Sequence, residues 1–170
     1  MNPAVLSEAS ALIVRANANG HRGFTGNPAD WNDINKELGG VIPTWYIELV
    51  TTIPLAGLEI GWQEPGHEQP DDTIYWAEWF DAQNARLEAL ELHPGKSILS
   101  HGYLCVADGN GTGDQYFISL RDGEDPPLYQ IDHETDEDAE EILTKGRYLV
   151  ASALSGFFRG AITRINPSQL

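Results

Sequence analysis

Basic residues are scarce in this chain of 170 residues: 10 Lys and Arg stand against 26 Asp and Glu, giving a formal net charge of −16. A surface so poor in cations repels phosphate backbones and anionic headgroups, so neither nucleic acid nor membrane is an expected partner. Cysteine is scarcer still. The single Cys105 has no partner for an internal disulfide, and within Tyr103-Leu104-Cys105-Val106 it reads as a small core hydrophobe, a pattern suited to a reducing compartment. No run approaches the roughly 20 apolar residues of a spanning helix, and Met1-Asn2-Pro3 opens without the basic and apolar segments of a secretory signal, so the expectation is a cytoplasmic protein. Gly-x-Ser-x-Gly and His-x-x-x-His are also missing, and no Gly-Lys-Ser/Thr follows the glycine-rich run 108–114 to make a phosphate cradle.

What is present argues for one packed domain over residues 1–170. Five Trp, six Tyr and five Phe supply the bulk of a core despite the charge. The charge is segregated. Nine acids and no base lie between Lys36 and Arg86, ten acids and no base between Arg121 and Lys145, and from Lys145 onward there are only bases.

Hydrophobic spacing predicts an α+β fold, a single mainly antiparallel sheet with helices packed on it. Asn2-Pro3 caps a helix over 2–19 with Val5, Ala9, Leu12 and Ala16 inward, Asp30 is the expected cap of a second helix carrying Trp31, Ile34 and Leu38, and Pro43 starts a third. Leu58, Ile60 and Trp62 alternate as in a half-buried strand, an acidic loop runs from Glu64 to Asp72, and Ile74-Tyr75-Trp76 reads as a strand. A helix is expected over Glu78–Leu92 with Phe80, Leu87 and Leu90 inward. Three strands, roughly 97–107, 115–120 and 128–132, form a meander whose first turn is the glycine-rich Asp108–Asp114. Thr135 is the expected cap of a helix whose N-terminus is the acidic segment 136–141 and whose end carries Lys145 and Arg147, and Val150, Leu154, Phe157 and Ala161 follow the spacing of a closing helix.

In order and spacing, residues of about 30–160 resemble the SUKH superfamily, the Smi/Knr-type domains that include bacterial immunity proteins. The resemblance is carried by Gly40-Val41-Ile42-Pro43-Thr44-Trp45-Tyr46-Ile47-Glu48-Leu49, by Leu55-Ala56-Gly57-Leu58-Glu59-Ile60, and by Asp108 to Asp114 leading into Tyr116-Phe117-Ile118. The Asn-Gly step usual after the Pro-aromatic helix is replaced by Val50-Thr51-Thr52-Ile53. The resemblance implies a non-catalytic domain that recognises a cognate toxin or another protein. The readings in competition are an immunity protein, a regulatory scaffold binding cellular proteins, and a small hydrolase, the last requiring His and carboxylates clustered in a pocket. The oligomeric state stays open.

Oxygen side chains alternating with Gly in 108–114 look like half of a calcium loop, but Ser119 stands where an EF-hand needs a bidentate Glu and the flanks are strands, so a plain hairpin is expected, with no metal and no cofactor. His133, between Asp132 and Glu134, is expected to have its charged form favoured. Trp62 ends a strand at the mouth of the acidic loop, and a Trp beside carboxylates suits a basic partner protein, with charge speeding encounter and the ring supplying desolvated contact. The expected docking set is Trp62, Glu64, Glu68, Asp71 and Asp72, with Asp108 and Asp114 nearby.

Overall fold

The computed structural model describes residues 1–63, 74–109, 113–135 and 137–164. Helix α1 (Pro3–Ala18) starts where the side chain of Asn2 accepts from the Ala4 amide, and it buries Val5, Ala9, Leu12 and Ala16 as the spacing predicts. Helix α2 (Pro28–Glu37) is capped by Asn27 rather than Asp30. Pro28 supplies a preset φ and no orphan N–H at the first position, which places the start three residues earlier. Helix α3 (Thr44–Thr52) follows Pro43 and buries Trp45, Tyr46, Leu49 and Val50.

Strands β1 (Glu59–Gln63) and β2 (Ile74–Trp79) come next. The latter runs further than expected, and the helix behind it is shorter: α4 (Ala82–Leu90) is capped by Asp81 and buries Ala82, Ala85, Glu88 and Ala89, while Leu87 and Leu90 are only half-buried. Small side chains let α4 sit close on β3. The apolar stretch expected to open the next strand is a short helix, α5 (Gly95–Ile98), and a 3-10 turn (Leu99–His101) instead. Gly102, at φ 87°, redirects the chain into β3 (Tyr103–Gly109). Strands β4 (Gln115–Ser119) and β5 (Leu128–Ile131) complete the meander.

Asp138, not Thr135, caps the short α6 (Ala139–Glu141), which widens into a π turn over Ile142–Gly146. Arg147–Ala151 then forms a strand, β6, where a helix was expected, so Val150 belongs to the sheet and α7 begins only at Leu154 (Leu154–Gly160). Aromatic and β-branched residues in Arg147-Tyr148-Leu149-Val150 favour the extended form, and pairing with β5 decides it.

Among the described residues the sheet has six antiparallel strands in the order β1-β2-β3-β4-β5-β6. One face carries Ile60, Ala77, Trp79, Ala107 and Ile118, all buried, and α7 covers it with Phe157 and Phe158 against Trp79, the ring centroids of Phe158 and Trp79 being 5.4 Å apart. Helix α1 packs on α7. On the other face α4 and α5 lie against β3, near Cys105 and Phe117. The outer edge of β1 is bridged by Ile162, whereas β6 is an edge strand with Tyr148 and Leu149 exposed. Gly61 has a packing reason: a Cβ there would stand 2.9 Å from the ring of Trp76. A Gly61→Ala variant is therefore expected to displace Trp76 and lower the melting temperature by a few degrees, roughly 1–2 kcal/mol, as measured by thermal denaturation.

Candidate functional site

At one end of the α7-bearing face, strand register places side chains beyond the reach of the helix. Trp62 pairs with Tyr75 across β1 and β2, and Gln130 pairs with both Tyr116 and Tyr148 across β4, β5 and β6. Trp62, Tyr75, Gln130 and Tyr148 wall an open cleft of ≈ 500 Å³, whose polar side is made by Asp114, Asp132, His133 and Glu134.

The aromatic wall is rigidly held. The Trp62 ring stacks on Tyr75 at 4.9 Å between centroids, and its indole N–H donates to the Tyr116 hydroxyl at 2.9 Å. Burial pushes the Tyr116 phenol up to about 12, so it stays neutral and keeps this contact across the physiological range. The polar wall is held as firmly. The Gln130 amide donates to Asp114 Oδ2 at 2.8 Å, His133 Nδ1 lies 3.0 Å from Asp114 Oδ1, and Asp132 Oδ1 accepts from the Glu134 amide at 2.8 Å. A carboxylate only accepts, so Nδ1 carries the proton in this pair. Gly113, at φ 79°, fits beneath the imidazole; a Cβ there would come within 3.0 Å of the ring.

Hydrogen bonding to Asp114 raises the His133 pKa above its ordinary 6.5, aided by the charges of Asp114, Glu134 and Asp132 and opposed by desolvation. The sequence expectation rested on the adjacent acids; the larger cause comes from across the hairpin. In an NMR pH titration the His133 imidazole is expected to titrate above 6.5, and Asp114→Asn to bring the midpoint back down. An unchanged midpoint in that variant would remove Asp114 as the cause.

Asp114, Asp132 and His133 each offer one ligand atom within 4.8 Å of the others, a set open to a divalent cation, although the His133–Asp114 hydrogen bond already accounts for the closeness of two of them. Two serine–histidine contacts occur among the described residues. Ser97 Oγ is 3.5 Å from His93 Nδ1, with the other ring nitrogen 3.0 Å from the Thr135 carbonyl, and Ser100 Oγ is 3.3 Å from His101 Nδ1. The group orienting His93 is thus a backbone carbonyl rather than a carboxylate.

A family profile described as the SMI1/KNR4 family (SUKH-1) matches residues 26–160. The chain belongs to this SUKH family. Comparison with curated proteins and with solved structures finds no match. The matched span runs from the loop before α2 to the end of α7, so this SUKH domain contains the whole sheet and the whole cleft, and α1 lies outside the match. The family is generally made up of non-catalytic immunity proteins whose members bind cognate toxins. Among the described residues no helix is long and apolar enough to cross a membrane.

Of the residues singled out from the sequence, Trp62 and Asp114 meet in the cleft. Asp108 does not: it pairs with Gln115 and Glu78 on the other face of the sheet, where its charge acts on Glu88. Glu64, Glu68, Asp71 and Asp72 lie outside the described residues; the chain between Gln63 and Ile74 carries them, joining the two strands that hold Trp62 and Tyr75. Sequence reasoning missed Tyr75, Gln130, Asp132, Glu134 and Tyr148 as members of one site. Their only signal was the acidic stretch around His133, and their meeting depends on the pairing of β5 with β4 and β6.

Proposed function

We propose that this SUKH domain is an immunity protein that neutralises a basic toxin, such as a nuclease, by tight, non-catalytic binding through an acidic surface centred on the cleft. The observation that carries this reading is the cleft itself, in which Trp62, Tyr75 and Tyr148 stand beside Asp114, Asp132 and Glu134 in a member of a toxin-binding family. Aromatic anchors in a partly desolvated hollow supply affinity, and the surrounding carboxylates speed encounter with a cationic partner and reject anionic ones. The sequence joining β1 to β2 adds Glu64, Glu68, Asp71 and Asp72, and a nuclease that binds phosphate carries the complementary charge.

Co-expression with a toxin domain, sought in the gene next to this one, is the test. Growth rescue and co-purification of a stable complex are the expected results, with alanine at Trp62, Glu64, Glu68, Asp71, Asp72 and Asp114 weakening the complex, while Asp108→Ala, on the other face, tests how far the interface extends. Absence of both rescue and complex would sink the immunity reading and favour a regulatory scaffold that binds cellular proteins.

A further inference from the structure

Twice, this sheet seats one of its own arginines on an aromatic ring. The Arg164 guanidinium lies 4.5 Å over Trp76 with its Nε 3.5 Å from Glu59, and the Arg147 guanidinium lies 4.7 Å over Tyr129 and 5.6 Å from the Tyr103 centroid. The first of these joins all three parts of a guanidinium site: a ring face, a carboxylate beside it, and a planar cation that stacks on one while ion-pairing with the other. The cleft repeats the first two parts on the opposite face of the same strands. Trp62 and Tyr75 are stacked and pinned by Tyr116, Tyr148 is 58% exposed across from them, and Asp132 and Glu134 stand between; no lysine or arginine lines the cleft among the described residues.

Resting on the reading that a basic protein docks at this face, we infer that the cleft is an anchor site for one arginine side chain of that partner, the guanidinium stacking on the aromatic wall and pairing with the carboxylates of Asp132 and Glu134. Arginine fits better than lysine because its planar, weakly hydrated head both stacks on a ring and presents paired donors, whereas an ammonium is a strongly hydrated point charge. The imidazole of His133 occupies the Asp114 side of the cleft, which directs the incoming cation toward Asp132 and Glu134.

The test needs no toxin. The peptide acetyl-Gly-Arg-Gly-amide is titrated into the ¹⁵N-labelled protein at millimolar concentration, beside the same peptide with lysine and with citrulline, the neutral isostere of arginine. The arginine peptide is expected to give saturable shifts at the Trp62 indole N–H, the Gln130 side-chain amide and the Tyr148 backbone, several-fold weaker shifts with lysine and none with citrulline. Asp132→Asn combined with Glu134→Gln should weaken arginine binding at least tenfold, and Trp62→Leu should do so through loss of the ring face alone. Equal shifts with citrulline, shifts spread over the acidic surface without saturation, or affinity unchanged in the carboxylate variant would each overturn the proposal. The two readings fail separately. A toxin that binds the wild type and the cleft variants equally leaves the immunity role standing without the anchor, and an arginine peptide that maps to the cleft without any toxin rescue leaves the anchor standing without the immunity role.

Discussion

Phe158→Ala is expected to destabilise the domain by about 3–5 kcal/mol, the range for truncating a fully buried aromatic, and to lower the melting temperature by roughly 10 °C in a protein of this size. Phe158 is 0% exposed and sits in a ring cluster with Trp79 and Phe157, the contact through which α7 closes over the sheet. Its removal leaves a cavity that neither the sheet nor the α1–α7 pair can close without losing its own contacts. Phe158→Leu, which refills most of that volume, should lose far less, on the order of 1 kcal/mol. Chemical denaturation of the two variants gives the comparison, and a loss under about 1 kcal/mol for the alanine variant would mean that α7 is not docked on Trp79.

The second large effect is electrostatic. Glu88 on α4 is 6% exposed, and its Oε2 is buried without a hydrogen-bond partner among the described residues. Burial, with the nearby charge of Asp108 adding to it, pushes its carboxyl from 4.5 up to about 7. The native state therefore holds a proton that the unfolded chain gives up at lower pH. The stability due to neutral Glu88 is fully present below 4.5 and is lost as the pH rises through about 7, a fall of up to about 3.5 kcal/mol at about 1.4 kcal/mol per tenfold change in proton affinity. Glu88→Gln keeps the shape without the ionisation. Its melting temperature should match the wild type near pH 4 and exceed it by about 5 °C at pH 8. Melting curves that run parallel over this interval would show that Glu88 ionises without cost, and the buried-carboxyl account would fail.

Both effects arise where local pattern and tertiary environment diverge. Helix α4 shows this most clearly. Its leucines, Leu87 and Leu90, are the natural inward residues by hydrophobicity, yet the helix turns Ala82, Ala85 and Ala89 inward, whose small side chains allow its close approach to β3, and Glu88 is carried in with them. A buried Glu cannot be anticipated from spacing, since an isolated helix would place it in water. The same holds for β6. An apolar run after Gly146 is compatible with helix or strand, and the free edge of β5 selects strand.

Elements whose signals lie within a few residues were legible. Asn2-Pro3 and Pro43 marked helix starts, alternation marked β1, and glycine-rich and proline-rich connections marked the meander of β3, β4 and β5. The second helix starts at Asn27-Pro28, the same signal as Asn2-Pro3, and not at Asp30. The family was also legible, because its motifs are local runs that keep their order along the chain. The candidate site was readable only at Trp62 and Asp114.

Composition and contacts between near neighbours fixed the fold class, the SUKH membership, the acidic character and the starts of α1 and α3. Tertiary structure alone decided which acids share a surface. It drew Asp114, Asp132, His133 and Glu134 to the aromatic wall of Trp62, Tyr75 and Tyr148 and sent Asp108 to the opposite face. The physical reason is the two-residue period of a strand: one step of register moves a side chain through the sheet, and that register is set by pairing between segments far apart in the chain.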